Sequence, residues 1–306
     1  MRLRVVTAGV LAGAVLAAGV TVATENGAEN AESGDRSAVA AAPPRTPDSR
    51  ASQGRTPEAL SSPDQRRRTA EAVTGAVTAA VPGTTTGLAV YDRDEDSVVV
   101  GSEADRPFRT ASVVKLLIAI DVLSRHDWRT PDAATARDVT TMLAASDDTA
   151  ATALWSRHGD VAVVDRAAAL LRLSDTTPPD DPEQWELTRM SPTDIVRTYA
   201  YVEAHMPRPA RALVLDALDN FAATASDGFD QRFGLPAAFG ERTWAVKQGW
   251  MPVSGEVVLN TTGVVGSGSR YLVALLAEFP AGTDFGTARA ALTSGADRLA
   301  AALVTR

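Results

Sequence analysis

Past residue 68 the chain alternates between two hydrophobic rhythms. Thr69–Val81 places apolar residues at helical spacing and stops at Pro82-Gly83, a pair that ends helices. Gly87–Tyr91 (GLAVY) and Ser97–Val100 (SVVV) are short β-rich runs around the polar turn Asp92–Asp96, which predicts a hairpin. The spacing then turns helical over Ser112–His126, Ala134–Ala145, Thr149–Arg157, Val161–Leu173, Pro192–His205 and Arg208–Phe221. Three strand-like runs follow, Trp244–Trp250, Glu256–Val265 and Arg270–Phe279, and a helical tail, Thr287–Val304, comes last. Strands near both ends with helices between them predict an α/β (α+β) body: one sheet built from strands remote in sequence, with an all-helical lobe inserted.

The first 68 residues lack this patterning. Arg2 and Arg4 precede an uncharged run, Val5–Ala23, of Val, Ala, Gly, Leu and Thr, with small residues at Thr21-Val22-Ala23. A cationic start before an apolar stretch reads as an export signal over residues 1–24, either a cleaved signal peptide or, at nineteen residues, a retained anchor. No Cys follows it, so lipid attachment through a thiol is excluded. Residues 25–68 are rich in Ala, Ser, Pro, Arg and acids and read as a disordered linker to a body over 69–306. The expected location is secreted or cell-envelope, with any membrane tether confined to residues 5–23.

Charge narrows the partners. The chain of 306 residues carries a formal −8. Residues 1–68 hold nine Arg against seven acids, so the body is at −10, which disfavours nucleic acid and anionic lipid as partners. The absence of Cys removes thiolate nucleophiles and Cys-ligated metals, and the three His are scattered; no cofactor or metal is expected. Of the 30 basic residues only Lys115 and Lys247 are lysines. A chain that uses Arg almost everywhere keeps an amine where a guanidinium, which does not deprotonate, cannot serve.

Both lysines sit in chemically suggestive strings. Ser112-Val113-Val114-Lys115 opens a run that is apolar on every face, so its helix should be buried all round. The i, i+3 spacing stacks the hydroxyl and the amine on the first turn, where the helix N-terminus favours a developing anion. An amine in a dry interior is disfavoured as the cation and can accept the serine proton. Ser146-Asp147-Asp148 supplies a second hydroxyl on a loop, to pass a proton to a leaving group, although the same string suits a plain helix N-cap. Lys247-Gln248-Gly249-Trp250 lies in a predicted strand, where Lys247 offers a fixed positive charge and Gly249 leaves room for a substrate backbone.

Ser-x-x-Lys, then Ser-Asp-Asp, then Lys-Gln-Gly, in this order, resembles the signature of class A β-lactamases and penicillin-binding proteins (Ser-x-x-Lys, Ser-Asp-Asn, Lys-Thr-Gly). Met190-Ser191-Pro192 resembles the segment that follows that family's omega loop. The resemblance spans the body and implies a β-lactamase-like fold, with an antiparallel sheet flanked by the terminal helices. It implies an acyl-enzyme on Ser112, with Lys115 and Ser146 as proton partners and Lys247 holding a substrate carboxylate. Asp148, Gln248 and Gly249 would bind substrate, and the backbone N–H groups of Ser112 and Trp250 would form the oxyanion hole. The expected substrate is a β-lactam or a peptidoglycan-derived D-Ala peptide.

The departures are chemical. Asp148 stands where the family has Asn; it has no N–H to donate, and its charge opposes the use of Lys115 as a base. Gln248 replaces Thr but keeps a donor amide. The spacing from Ser112 to Ser146 is shorter than in the family. Ser174–Ser191 contains Glu183 and Glu186, neither with Asn four residues on, so no deacylating carboxylate is assigned. Two readings follow: an active serine hydrolase, or a non-catalytic cell-envelope binding module of the same fold in which Asp148 neutralises Lys115.

Overall fold

The structure, a computed structural model, describes residues 58–304. The export signal expected over 1–24, and the linker expected over 25–68 as far as residue 57, lie outside the described residues.

The folded body starts earlier than residue 69. Helix α1 spans Pro63–Ala80 because Ser62 caps it: the Ser62 hydroxyl accepts from the Gln65 N–H at 3.3 Å, and proline occupies the first turn. A 3₁₀ turn, Glu58–Leu60, precedes it, and Leu60 is fully buried. The run Arg66-Arg67-Arg68, which reads as linker, belongs to this helix. Arg66 pairs with Glu95 at 2.8 Å, and Arg67 pairs with Asp64 and Glu71. A polar first turn carries no apolar period, so only its cap marks it. Ser62→Ala should lower the unfolding free energy by about 1 kcal/mol, read from urea denaturation of the full chain.

Strands β1 (Thr85–Asp92) and β2 (Ser97–Ser102) form the expected hairpin. After a two-residue strand β3 (Phe108–Arg109) comes a 3₁₀ turn, Ala111–Val114, then helices α2 (Lys115–Arg125), α3 (Ala133–Ala144), α4 (Asp148–His158) and α5 (Ala162–Leu171). Strand β4 (Arg189–Met190) pairs with β3 and leads into α6 (Pro192–Ala204), α7 (Arg208–Asp219) and the short α8 (Leu235–Phe239). Strands β5 (Thr243–Val253), β6 (Glu256–Val265) and β7 (Tyr271–Pro280) and helix α9 (Phe285–Leu303) complete the described part. The long elements lie within a few residues of their predicted bounds. The two-residue strands and α8 are too short to carry a period.

The sheet is antiparallel, in the order β2-β1-β7-β6-β5. Its two faces feed two cores, as the alternation of strand side chains requires. Leu88, Val90, Val273 and Leu275 face Val73 and Val77 of α1 and Leu292 and Leu299 of α9. Ala89, Leu272, Ala274 and Leu276 face the opposite core, with α2, α4, α6 and α7. Helix α2 is buried from Lys115 to Leu123. Its one acid, Asp121, is 1% exposed and held by Arg166 through bonds of 2.7 and 2.8 Å. A buried carboxylate needs such a partner. The mixed fold with an inserted helical lobe is therefore the one the hydrophobic pattern predicts.

Candidate active site

Ser112 rides on the 3₁₀ turn that runs into α2; the Lys115 N–H bonds back to the Ser112 carbonyl. The expected single helix from Ser112 is thus a tight turn followed by an α-helix. Ala111, just before the serine, has φ +45°, a left-handed conformation that costs a non-glycine residue about 1–2 kcal/mol. Neighbours hold it there. The Asn260 amide of β6 donates to the Arg109 carbonyl at 2.9 Å and to the Thr110 carbonyl at 3.0 Å. The Thr110 N–H donates to the Thr188 carbonyl at 2.9 Å. On β5, Gly249 pairs across the sheet with Asn260, and a Cβ on Gly249 would lie 2.5 Å from the Thr110 carbonyl oxygen. Gly249 therefore makes room for the serine turn. Asn260, whose Asn-Thr-Thr string fits a glycan acceptor, is fully buried and serves as this clamp.

The two lysines converge on one hydroxyl. Lys247 Nζ donates to Ser146 Oγ at 2.9 Å, and Lys115 Nζ lies 3.3 Å from the same oxygen. Lys115 also donates to the Ser146 carbonyl at 2.7 Å and to Asp148 Oδ1 at 2.5 Å, and sits 4.9 Å from the centre of the Trp185 ring. These contacts use all three ammonium protons. Among the described residues no hydrogen bond joins Lys115 to Ser112. Ser146 has φ +53°, which turns its carbonyl to Lys115, while Asp147 caps α4 by accepting from the Ala150 N–H at 2.8 Å. The capping task in Ser-Asp-Asp thus falls to Asp147, and Ser146 is left to the amines.

Burial sets the electrostatics. Lys115 is fully buried, which lowers its pKa, and the Asp148 carboxylate pulls it partly back up. Lys247 is 1% exposed and lies well below the usual lysine range, first because of burial and then because of the positive Lys115 nearby. It lies beneath the cleft surface, with its amine on Ser146 Oγ. Gln248 departs further from expectation. Its amide N–H₂ donates to the Gln231 carbonyl at 3.0 Å and the Phe233 carbonyl at 2.8 Å, so both protons are consumed away from the cleft. Side chains on a strand alternate faces, and Gln248 takes the face opposite Lys247.

Above the amines lies a cleft of about 710 Å³ that Ser112, Asp148 and Trp250 help to line. One wall is the 174–191 loop, closed at its base by reciprocal Thr177–Arg189 backbone bonds of 2.9 and 3.0 Å. Asp194 accepts from the Asp175 N–H and the Thr176 hydroxyl, both at 2.8 Å. The Trp155 indole donates to the Pro182 carbonyl at 2.8 Å, and the Trp185 indole to the Thr152 hydroxyl at 3.1 Å. Glu186 on this loop lines the cleft, and its carboxyl is raised above the usual range, mainly by burial. Across from it, the Trp250 indole donates to Asp227 at 2.9 Å and stacks on Phe229 at 4.5 Å. Strand β5 is the sheet edge, so alternate backbone groups along it have no strand partner.

Ser112, Lys115, Ser146, Asp148, Lys247 and Trp250 thus come together, and Gly249 supports them from behind. Glu186 and Asp227 went unassigned in the sequence, where neither sits in a distinctive string. Among the described residues, no group of three or more His, Asp or Glu is placed to hold a metal, and no helix is long and apolar enough to cross a membrane.

No protein-family model matches the chain. It is 36% identical over 223 residues to the Mycobacterium tuberculosis protein named lipoprotein LppW, covering 70% of this chain and 69% of that one. The chain belongs to the LppW family. The same match is found with the Mycobacterium bovis protein of that name. Solved structures then fix the fold of this LppW relative. A class A β-lactamase from Mycobacterium abscessus superposes with a TM-score of 0.62 at 16% identity, over 76% of this chain and 97% of that one. PBP-A gives 0.61 at 18% identity, over 77% and 95%. A β-lactamase from Sphaerobacter thermophilus gives 0.59 at 19%, over 77% and 99%. This LppW relative therefore has a divergent form of the β-lactamase and penicillin-binding-protein fold.

Proposed function

We propose that this protein is a serine acyl-transfer enzyme that opens an amide through an acyl-enzyme on Ser112. The observation that carries this reading is the Ser146 hydroxyl held between two buried amines, Lys247 at 2.9 Å and Lys115 at 3.3 Å, beneath a cleft that Ser112 lines. Two amines buried around one hydroxyl are costly to desolvate, and a proton relay uses such an arrangement.

In the proposed step Ser112 Oγ bonds to the amide carbon, the C–N bond breaks, and the serine proton passes through Lys115 and Ser146 to the leaving nitrogen. Lys115 first has to leave its contact with Asp148, so the charged pair is a resting state. The backbone N–H groups of Ser112 and Trp250 are the proposed oxyanion donors. Water then cleaves the ester, and Glu186, a cleft carboxyl with a raised pKa, is the group we assign to activate it. The substrate class expected from the sequence, a β-lactam or a D-Ala peptide, stays with the proposal. An envelope location is supported by the export-type leader and by the lipoprotein name of the relative. With no Cys in the 306 residues, thiol-linked lipid has no attachment atom.

The 2.5 Å Lys115–Asp148 pair favours a second reading, a pocket that only binds. Labelling separates the two. The full chain, treated with a fluorescent penicillin and with a fluorophosphonate between pH 6 and 9, should gain one adduct by intact mass, and Ser112→Ala should gain none. Failure of every acyl or phosphonyl probe across that range would leave the binding module.

A further inference from the structure

The rim of the cleft is acidic. Four carboxylates line it, Asp148, Glu183, Glu186 and Asp227, and no Arg or Lys does. Twenty-eight arginines are spread over the chain, yet none is among the residues lining this opening. Of the four acids, Asp148 is answered by Lys115. The remaining three face a site whose one other cation, Lys247, lies beneath its surface at 1% exposure, with burial disfavouring its charge. Asp227 is near enough to both lysines to raise their proton affinity, so its field reaches the floor of the cleft. A second hollow of about 510 Å³ shares Thr152, Glu183 and Trp185 with the cleft and adds another carboxylate, Asp160.

An acidic rim alone is ordinary protein surface. Here it surrounds the proposed nucleophile: Ser112 is 6% exposed, lines the cleft, and its hydroxyl, open to the cleft, makes no hydrogen bond among the described residues. A nearly buried hydroxyl without a partner is satisfied when something polar enters. The carboxylates determine what enters. A partly enclosed site screens charge poorly, so a second anion is repelled and a cation is concentrated.

We propose that the occupant carries a protonated amine. In this assignment Glu183 on one wall and Asp227 on the other attract the ammonium while a carbonyl of the same molecule meets Ser112. The proposal rests on the acyl-transfer reading for the carbonyl and on the rim alone for the charge. It adds a positive charge to the substrate class that the sequence resemblance implies.

The test uses the full chain and two fluorophosphonates that differ only at the tail, one ending in an ammonium and the other in a carboxylate. Each phosphonylates a serine with loss of fluoride. At low ionic strength the ammonium probe should label Ser112 at least tenfold faster. The ratio should fall towards one in 0.5 M salt and in the double variant Glu183→Gln, Asp227→Asn, in which the new amide oxygen can still accept from the Trp250 indole. A ratio of one or less in the wild-type chain, or a ratio that the double variant leaves unchanged, overturns the proposal. If no probe labels, calorimetry with N-acetylcadaverine and 6-acetamidohexanoate decides. Preferential binding of the amine, lost in the double variant, sustains the cationic occupant while the acyl-transfer reading falls. Absence of binding by both overturns the cationic occupant as well.

Discussion

Replacing Asp148 with Asn is expected to speed the labelling of Ser112 at neutral pH by about tenfold and to move the alkaline rise of its pH profile to lower pH. Lys115 acts as a base only when neutral. Burial already lowers its pKa, and Asp148, bonded at 2.5 Å, raises it again. A folded-state pKa that is lowered further means that the neutral amine is present at a lower pH, so the base-limited rate rises earlier on the way up from acid. One pKa unit is worth a factor of ten in the neutral fraction wherever the pH lies below the pKa. The amide introduced by Asp148→Asn would keep an oxygen for Lys115 and add an N–H that the carboxylate lacks. The measurement is the second-order labelling rate from pH 6 to 9, by intact mass. A rate that is unchanged or lower in Asp148→Asn would show that the ion pair is not what restrains Ser112.

The second large effect is expected at Gly249. An added methyl would sit 2.5 Å from the Thr110 carbonyl oxygen and 3.2–3.3 Å from Val113 and Ala111. The obstructing atom is backbone and is already fixed by Asn260, so it cannot swing aside. Gly249→Ala should therefore cost about 1–3 kcal/mol of stability and should lower Ser112 labelling more than tenfold, because the turn that carries the serine is what must move. Thermal unfolding and labelling measured on the same sample check both parts. Full labelling with an unchanged midpoint would mean that Gly249 does not position Ser112.

How far the sequence reaches is clear from particular residues. The all-apolar string after Lys115 identifies α2 as the central helix, and β-rich apolar runs mark β1, β2 and the three late strands. The two lysines stand out because a chain rich in Arg spares them, and the fold brings them to one oxygen. Orientation within a motif is harder to read. Gln248 and Lys247 are neighbours in the string and point to opposite faces, and Gly249 looks the same whether a ligand or the Thr110 carbonyl fills its space. Asn260, which clamps the serine turn, lies far from Ser112 in the chain and carries no local signal. Asp227 and Glu186 become site residues only through the loops that deliver them.

The strand order has a kinetic consequence. Strand β1 lies between β2 and β7, and its residue Thr85 pairs with Glu278, so the centre of the sheet closes only after nearly the whole body has been made. Until β7 arrives, the hairpin β1–β2 has one face and one edge unsatisfied and is marginal by itself. Long-range pairing of this kind folds slowly and favours an all-or-none final step over growth from the N-terminus. A nascent chain interrupted before Tyr271 would thus remain open and sensitive to proteases.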